Sequence, residues 1–182
     1  MDFVTFADPA IPPIYTLRSP INAEATIAKV PPCALAAIVD NESGGRNVLQ
    51  VGKQPGPGAG VGLCQITADV DWSDLAHPKL HGYDLWDEAQ NLYVAAAYFL
   101  APAIQSALRL QRDDPTGFAR FGDGQVLFYA FAAYNEGWGG VMGRYRAGQN
   151  PDNETTNGYA ARAIIAYTDF VAGSHRSLAG LT

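Results

Sequence analysis

The chain has 182 residues, 48% of them hydrophobic and only 16% charged, with a formal net charge of -6. This composition is globular, is large enough for one domain with a core, and excludes a disordered chain. The acidic balance leaves no electrostatic footprint for nucleic acid or an anionic membrane surface, so neither is expected as a partner, while a neutral or mixed-charge polymer stays open.

Residues 1–30 read as a proline-rich N-terminal arm. Asp8-Pro9, Pro12-Pro13 and Ser19-Pro20 punctuate it, and each proline keeps its predecessor extended. A helical turn or two is expected over residues 23–29. The arm can drape over the domain or dock on a partner. Its first eight residues have neither a basic n-region nor an apolar h-region, so no standard secretory signal is expected. Polar residues or proline interrupt the long apolar runs before they reach transmembrane length, so no membrane insertion is expected.

Residues 31–45 read Pro-Pro-Cys-Ala-Leu-Ala-Ala-Ile-Val-Asp-Asn-Glu-Ser-Gly-Gly. Prolines suit a first helical turn. The run Ala34 to Ile38 is apolar nearly all round, as in a helix packed inside a domain. Gly44 and Gly45 end it. Glu42 then falls in the last turn, where the helix dipole and apolar neighbours both disfavour its charge and raise its pKa. A proton held near neutral pH is what a general acid needs. By position alone, a solvated glutamate at a frayed helix end is the simpler reading; the rest of the chain changes the balance.

Residues 46–61 are rich in glycine and proline and predict a long loop, of the kind that often carries function. Residues 62–67 return to apolar character as a short strand or turn. Residues 69–85 read as loop with Trp72 and Tyr83. Residues 84–110 give the strongest helical signal, with Leu85, Ala89, Leu92, Ala96 and Phe99 on one buried face. Asp84 is the expected N-cap, and Pro102 is expected to kink or split the helix. A turn-rich connector follows over residues 112–124. Residues 125–134 form another apolar helix, ending at Asn135-Glu136-Gly137. A short helix over 141–146, a polar loop over 149–157 and a last helix over 159–172 complete the domain, which spans residues 31–174. Residues 175–182 read as a C-terminal tail.

Cys33 and Cys64 lie among apolar residues, where buried free thiols are the default; a disulfide between them stays open. His77, His81 and His175 are scattered, and no Cys/His spacing suggests a metal. No metal or cofactor is expected.

Four short pieces occur in order: Glu42-Ser43-Gly44-Gly45, Gly62-Leu63-Cys64-Gln65, Ala133-Tyr134-Asn135-Glu136-Gly137, and Tyr159 at the start of the last helix. Their order resembles the lysozyme-like soluble lytic transglycosylases and the related goose-type lysozymes, whose motifs run Glu-Ser, Gly-Leu-Met-Gln, Ala-Tyr-Asn-x-Gly and a late tyrosine. The resemblance covers roughly residues 31–170. It implies a mainly α, single lysozyme-like domain with long loops, acting on peptidoglycan glycan strands between muramic acid and N-acetylglucosamine. It implies Glu42 as the catalytic acid and returning base, with Gln65 and Asn135 at the substrate, Tyr134 and Tyr159 offering hydroxyls near Glu42 or walling the cleft, and Ser43 either at the substrate or in a hydrogen bond at the helix C-terminus. Gln65 and Asn135 are amides that can serve sugar and acetamido groups without a charge change. Trp138 is a candidate platform for a sugar ring, as are Trp72 and Tyr83, for which core packing is the leading reading.

Two departures stand out. Cys64 replaces the methionine of the second motif, an exchange of one soft apolar filler for another. The aspartates that goose-type lysozymes carry around that motif fall here at about Gly56 and Thr67, neither of which is a base. Asp69, Asp71 and Glu136 are the nearby candidates for a second carboxylate. Hydrolysis with inversion needs such a base, so the single-glutamate, transglycosylase route is favoured. A lysozyme-type hydrolase using Asp69 or Asp71 is the first alternative, and a catalytically idle glycan-binding or structural module the second. The N-terminus suggests delivery to the cell wall without a signal, as for a phage endolysin or a virion-associated enzyme, with residues 1–30 as a segment docking on a virion or tail protein.

Overall fold

A buried helix, α3 (Pro32–Ser43), forms the centre of the fold in the computed structural model, which describes residues 13–67, 71, 73–74, 76–152 and 158–173. Every side chain from Cys33 to Val39 is at most 3% exposed, because the run is apolar on all faces and has no side to give to water. Pro32 stands in the first turn, and Gly44 closes the helix in a left-handed conformation, its N–H bonded to the Asp40 carbonyl. The last helix, α8 (Tyr159–Ala172), packs along α3. Helix α7 (Val126–Arg146) packs on α8 and on α5 (Ala101–Asp113). Two short pieces, α6 (Pro115–Phe118) and a 3-10 turn (Gly122–Gly124), connect α5 to α7. The described chain is mainly helical. Its two-stranded sheet is a hairpin of β1 (Lys79–Leu80) and β2 (Tyr83–Asp84), antiparallel, with Leu80 opposite Tyr83.

The expected irregular arm is corrected over residues 13–30. Helices α1 (Pro13–Thr16) and α2 (Arg18–Ala28) form there. Ile14, Leu17, Ile21 and Ala25 are buried, at the three-four spacing of one helical face, and belong to the same hydrophobic cluster as α3 and α8. The prolines misled the reading because of where they sit. Pro13 and Pro20 each lie within a first helical turn, where an N–H has no intrahelical partner to lose. The core therefore begins well before residue 31. Residues 1–12 of the expected arm, and the expected tail, lie outside the described residues.

Helix α4 (Glu88–Val94) starts later than expected. Its N-cap is Asp87, whose carboxylate accepts from the Gln90 N–H at 2.9 Å. Asp84 instead accepts from the Trp86 N–H and pairs with His77. Ala89, expected on the buried face, is exposed. Pro102 does not split the helix. A π-helical turn (Ala95–Leu100) joins α4 to α5 just ahead of it, and a widened turn of this kind is a recognised way to accommodate an interruption of the i→i-4 ladder. The continuous helix Glu88–Asp113 is long and apolar enough to cross a membrane by length and composition, whereas the sequence reading took polar residues or proline to interrupt every such run. In this fold it packs against α2 and α7 as a core helix.

Cys33 and Cys64 are both free and buried, and burial pushes both thiols above their usual pKa. Thiolate is the reactive form, so a thiol reagent should label the native protein far more slowly than the denatured protein, which should yield two equivalents. Rapid labelling of the folded chain would contradict this packing.

Candidate active site

Glu42 occupies the last turn of α3, at the floor of a cleft of about 640 Å³. Burial pushes its carboxyl up to about 7 from the 4.5 of an ordinary glutamate. Two contacts oppose the rise. The Tyr159 hydroxyl donates to Glu42 Oε1 at 2.7 Å, and the Arg162 guanidinium adds a favourable charge. Both come from the start of α8. Asn41 holds that end of the helix in place: its Nδ2 donates to the Tyr159 carbonyl at 3.4 Å and its Oδ1 accepts from Arg162 Nε at 3.1 Å. The buried Asp152 carboxylate accepts the Ala160 and Ala161 N–H groups, anchoring the first turn.

The second wall is the turn at residues 62–65. Gly62 has φ +76, and a Cβ there would lie 2.2 Å from Asn91 Nδ2 and 2.6 Å from the Leu85 carbonyl oxygen, so only glycine fits. Asn91, fully buried on α4, ties the turn down. Its Oδ1 accepts from the Cys64 N–H, and its Nδ2 donates to the Val61 and Leu85 carbonyls, each at about 3 Å. The Ser43 hydroxyl donates to the Leu63 carbonyl at 2.7 Å, and the Tyr134 hydroxyl donates to the Cys64 carbonyl at 2.8 Å. The turn is thus bonded to α3, α4 and α7. The Tyr134 and Tyr159 rings lie nearly parallel, 12° apart with centroids at 6.5 Å.

The structure brings Glu42, Ser43, Gln65, Tyr134 and Asn135 to the lining of one cleft, with Tyr159 bonded to Glu42 behind it. Their availability differs. Ser43 is buried and its hydroxyl is committed to the backbone. Gln65 adopts a left-handed φ of +48, and its Nε2 donates to the Val48 and Gly62 carbonyls, which occupies both amide hydrogens. Of the two ways an amide can serve a sugar, donating is thereby corrected for Gln65, and its Oε1 is left to accept. Asn135 is exposed, and its amide makes no hydrogen bond to the described residues.

Other expectations fall elsewhere. Trp138 does not line the cleft. It lines a separate groove with Ser106, Leu110 and Met142, on the α5 side of α7. Gly137 breaks α7 with φ +79 and ψ 153, and that reversal turns the following residues away. Glu136 is held by Arg144, which donates from Nε and Nη2 to both carboxylate oxygens at 3.0–3.2 Å. Asp71 is exposed, accepts from the Ser73 N–H at 2.8 Å, and has its carboxyl pKa lowered by that contact. Neither acid lines the cleft. Tyr83 packs in a cluster with Tyr93 and Tyr98. Asp69 and Trp72 lie outside the described residues.

The sequence reading missed Asn41, Asn91, Asp152 and Arg162. Asn91 had a signal: a carboxamide between apolar positions of the strongest helical stripe. Arg162 also had one, sitting a single turn after Tyr159 on the same face. Among the described residues, no group of three His, Cys, Asp or Glu side chains converges to hold a metal ion. No protein-family model matches the chain, and no curated protein matches it.

The carboxyl of Glu42 stays protonated in the folded chain up to about 7 but ionises near 4.5 when unfolded. Its contribution to stability is therefore full below 4.5, declines as pH rises toward 7, and is flat above. The shift corresponds to about 3 kcal/mol. Glu42→Gln removes this cost, so the variant should melt several degrees higher than the native chain at pH 8, with the gap closing at pH 4. Tyr159→Phe removes a contact that favours the carboxylate, so carboxyl NMR should place Glu42 above its native pKa. Identical pH profiles for native and Gln variants, or an unmoved titration in the Phe variant, would contradict these assignments.

Proposed function

We propose that the chain is a lysozyme-like peptidoglycan lytic transglycosylase that cleaves the β-1,4 bond between N-acetylmuramic acid and N-acetylglucosamine. The carrying observation is that Glu42 is the one carboxylate among the described residues lining the cleft, and that burial holds its pKa at about 7. Such a group can act first as acid and then as base near neutral pH.

In the proposed step, Glu42 donates its proton to the glycosidic oxygen as the bond from that oxygen to muramic acid C1 breaks. The resulting carboxylate accepts the proton of the same sugar's 6-hydroxyl as its oxygen bonds to C1. Atoms and charge balance without water, and the acid is regenerated. The attacking group is tethered to the reacting sugar, so proximity favours it over a free nucleophile. Tyr159 stabilises the transient carboxylate through its 2.7 Å hydrogen bond, and Arg162 does so through its charge. Asn135 and the Gln65 carbonyl oxygen are the amide groups for the sugar substituents. Capture by water with inversion would need a second carboxylate roughly 6.5–9.5 Å from the first. The engagement of Glu136 by Arg144 and of Asp71 by Ser73 favours the single-carboxylate route.

Glu42→Gln should fold and lose about a hundredfold or more of turnover on cell walls, the scale of general acid catalysis. Native activity should fall as pH rises through about 7, where Glu42 loses its proton. Products should carry 1,6-anhydromuramic ends, one water lighter than hydrolysis products. Digestion in heavy-oxygen water decides the route: label at muramic acid C1 would mean hydrolysis and overturn the transglycosylase reading.

A further inference from the structure

The cleft holds one cation among the described residues that line it, Arg46, just past the end of α3. Arg46 follows the second of the two glycines after Ser43, and its Nε donates to the Ser43 carbonyl at 3.0 Å. That bond caps the C-terminal end of α3, a common place for a basic group. It uses one of the five guanidinium hydrogens. Arg46 makes no ion pair and no other side-chain hydrogen bond among the described residues. It is exposed, so the remaining fork of donors is open to the cleft and solvent. The cation that bears on Glu42 is Arg162, on the far side.

We propose that Arg46 is a specificity-determining residue that takes a carboxylate carried by the glycan substrate. The inference rests on the proposed function and names a feature of its substrate. A guanidinium anchored through Nε presents two Nη groups in a plane, a geometry that matches a carboxylate bidentately. The chain as a whole carries a net charge of -6, which on balance repels an acidic glycan, so a local positive site in the cleft favours its docking there. Glu42 does not cancel that site, because it is neutral through much of the acid-to-neutral range. The other described side chains lining the cleft are uncharged, among them Gln50, Gln65, Thr67 and Asn135. In peptidoglycan a carboxylate arises from two sources: the lactyl group of muramic acid when it bears no peptide, or the stem peptide when it does. Either supplies the same chemistry.

The test measures binding to a chain that cannot turn over. Glu42→Gln and Glu42→Gln/Arg46→Gln are titrated calorimetrically with five soluble ligands. These are peptide-free glycan strands, peptide-bearing strands, the same strands with their carboxylates amidated, and an uncharged N-acetylglucosamine oligomer. The single variant should bind at least one carboxylate-bearing strand about tenfold or more tighter than its amidated form, the scale of a hydrogen bond to a charged group. That preference should disappear in the double variant, and Arg46→Lys should restore part of it. Whichever strand shows it identifies the carboxylate. Strand binding with no preference for carboxylates, or a preference that survives Arg46→Gln, overturns this inference and leaves the proposed function standing. A double variant that only melts earlier, with the preference intact, reduces Arg46 to a helix cap and also overturns it. No binding to any of the five ligands overturns the proposed function itself.

Discussion

Three hydrogen bonds from one buried carboxamide hold the cleft in register. Asn91 reaches Val61 and Cys64 in the bridged turn and Leu85 in the segment that follows the hairpin. Backbone polar groups buried in a turn must find partners, and a turn has no ladder to supply them. Asn is well suited because it offers an acceptor and two donors on a short stem. With the turn fixed, its Leu63 and Cys64 carbonyls become anchor points for Ser43 and Tyr134. The positions of α3 and α7 relative to the cleft thus depend on a residue that does not itself line it.

The acidity of Glu42 is a compromise between burial and two contacts that oppose it. Burial alone favours the protonated acid. Tyr159 and Arg162 pull the other way. Without them the carboxyl would hold its proton too firmly to act as a base; without burial it would ionise too early to act as an acid. Under the proposed mechanism both states are needed in one cycle, so an intermediate value near neutral pH serves it better than either extreme. The cost falls on stability, a common trade at functional sites.

Much of this arrangement was legible in the sequence, and the failures have physical causes. Helix α3 announced itself through an unbroken apolar run ended by two glycines, and the order of the short motifs brought Glu42, Gln65, Tyr134 and Asn135 to one cleft. Helices α1 and α2 were hidden because proline was weighed as a breaker without regard to its place in the turn. Trp138 follows Asn135 by three residues, which on a regular helix would put both on one face. The reversal at Gly137 breaks that periodicity. The engagement of Glu136 was also hidden, because Arg144 lies eight residues on and meets it only across the same break. The donors of Gln65 are consumed by a left-handed turn that no spacing rule forecasts for glutamine.

The alanines of α3 and α8 have a consequence for how far apart the reacting groups can drift. Ala34, Ala36 and Ala37 on one helix and Ala160, Ala163 and Ala166 on the other are all buried. A methyl group has no rotamer to change, so an interface made of methyls cannot yield by side-chain rearrangement. The spacing between the two backbones is then set almost directly by van der Waals radii, and with it the reach from the Tyr159 hydroxyl to the Glu42 carboxylate. An alanine interface of this kind works as a mechanical gauge. It has little slack, and a bulkier side chain where α3 and α8 meet would be read out as a longer hydrogen bond at the far end of the helix.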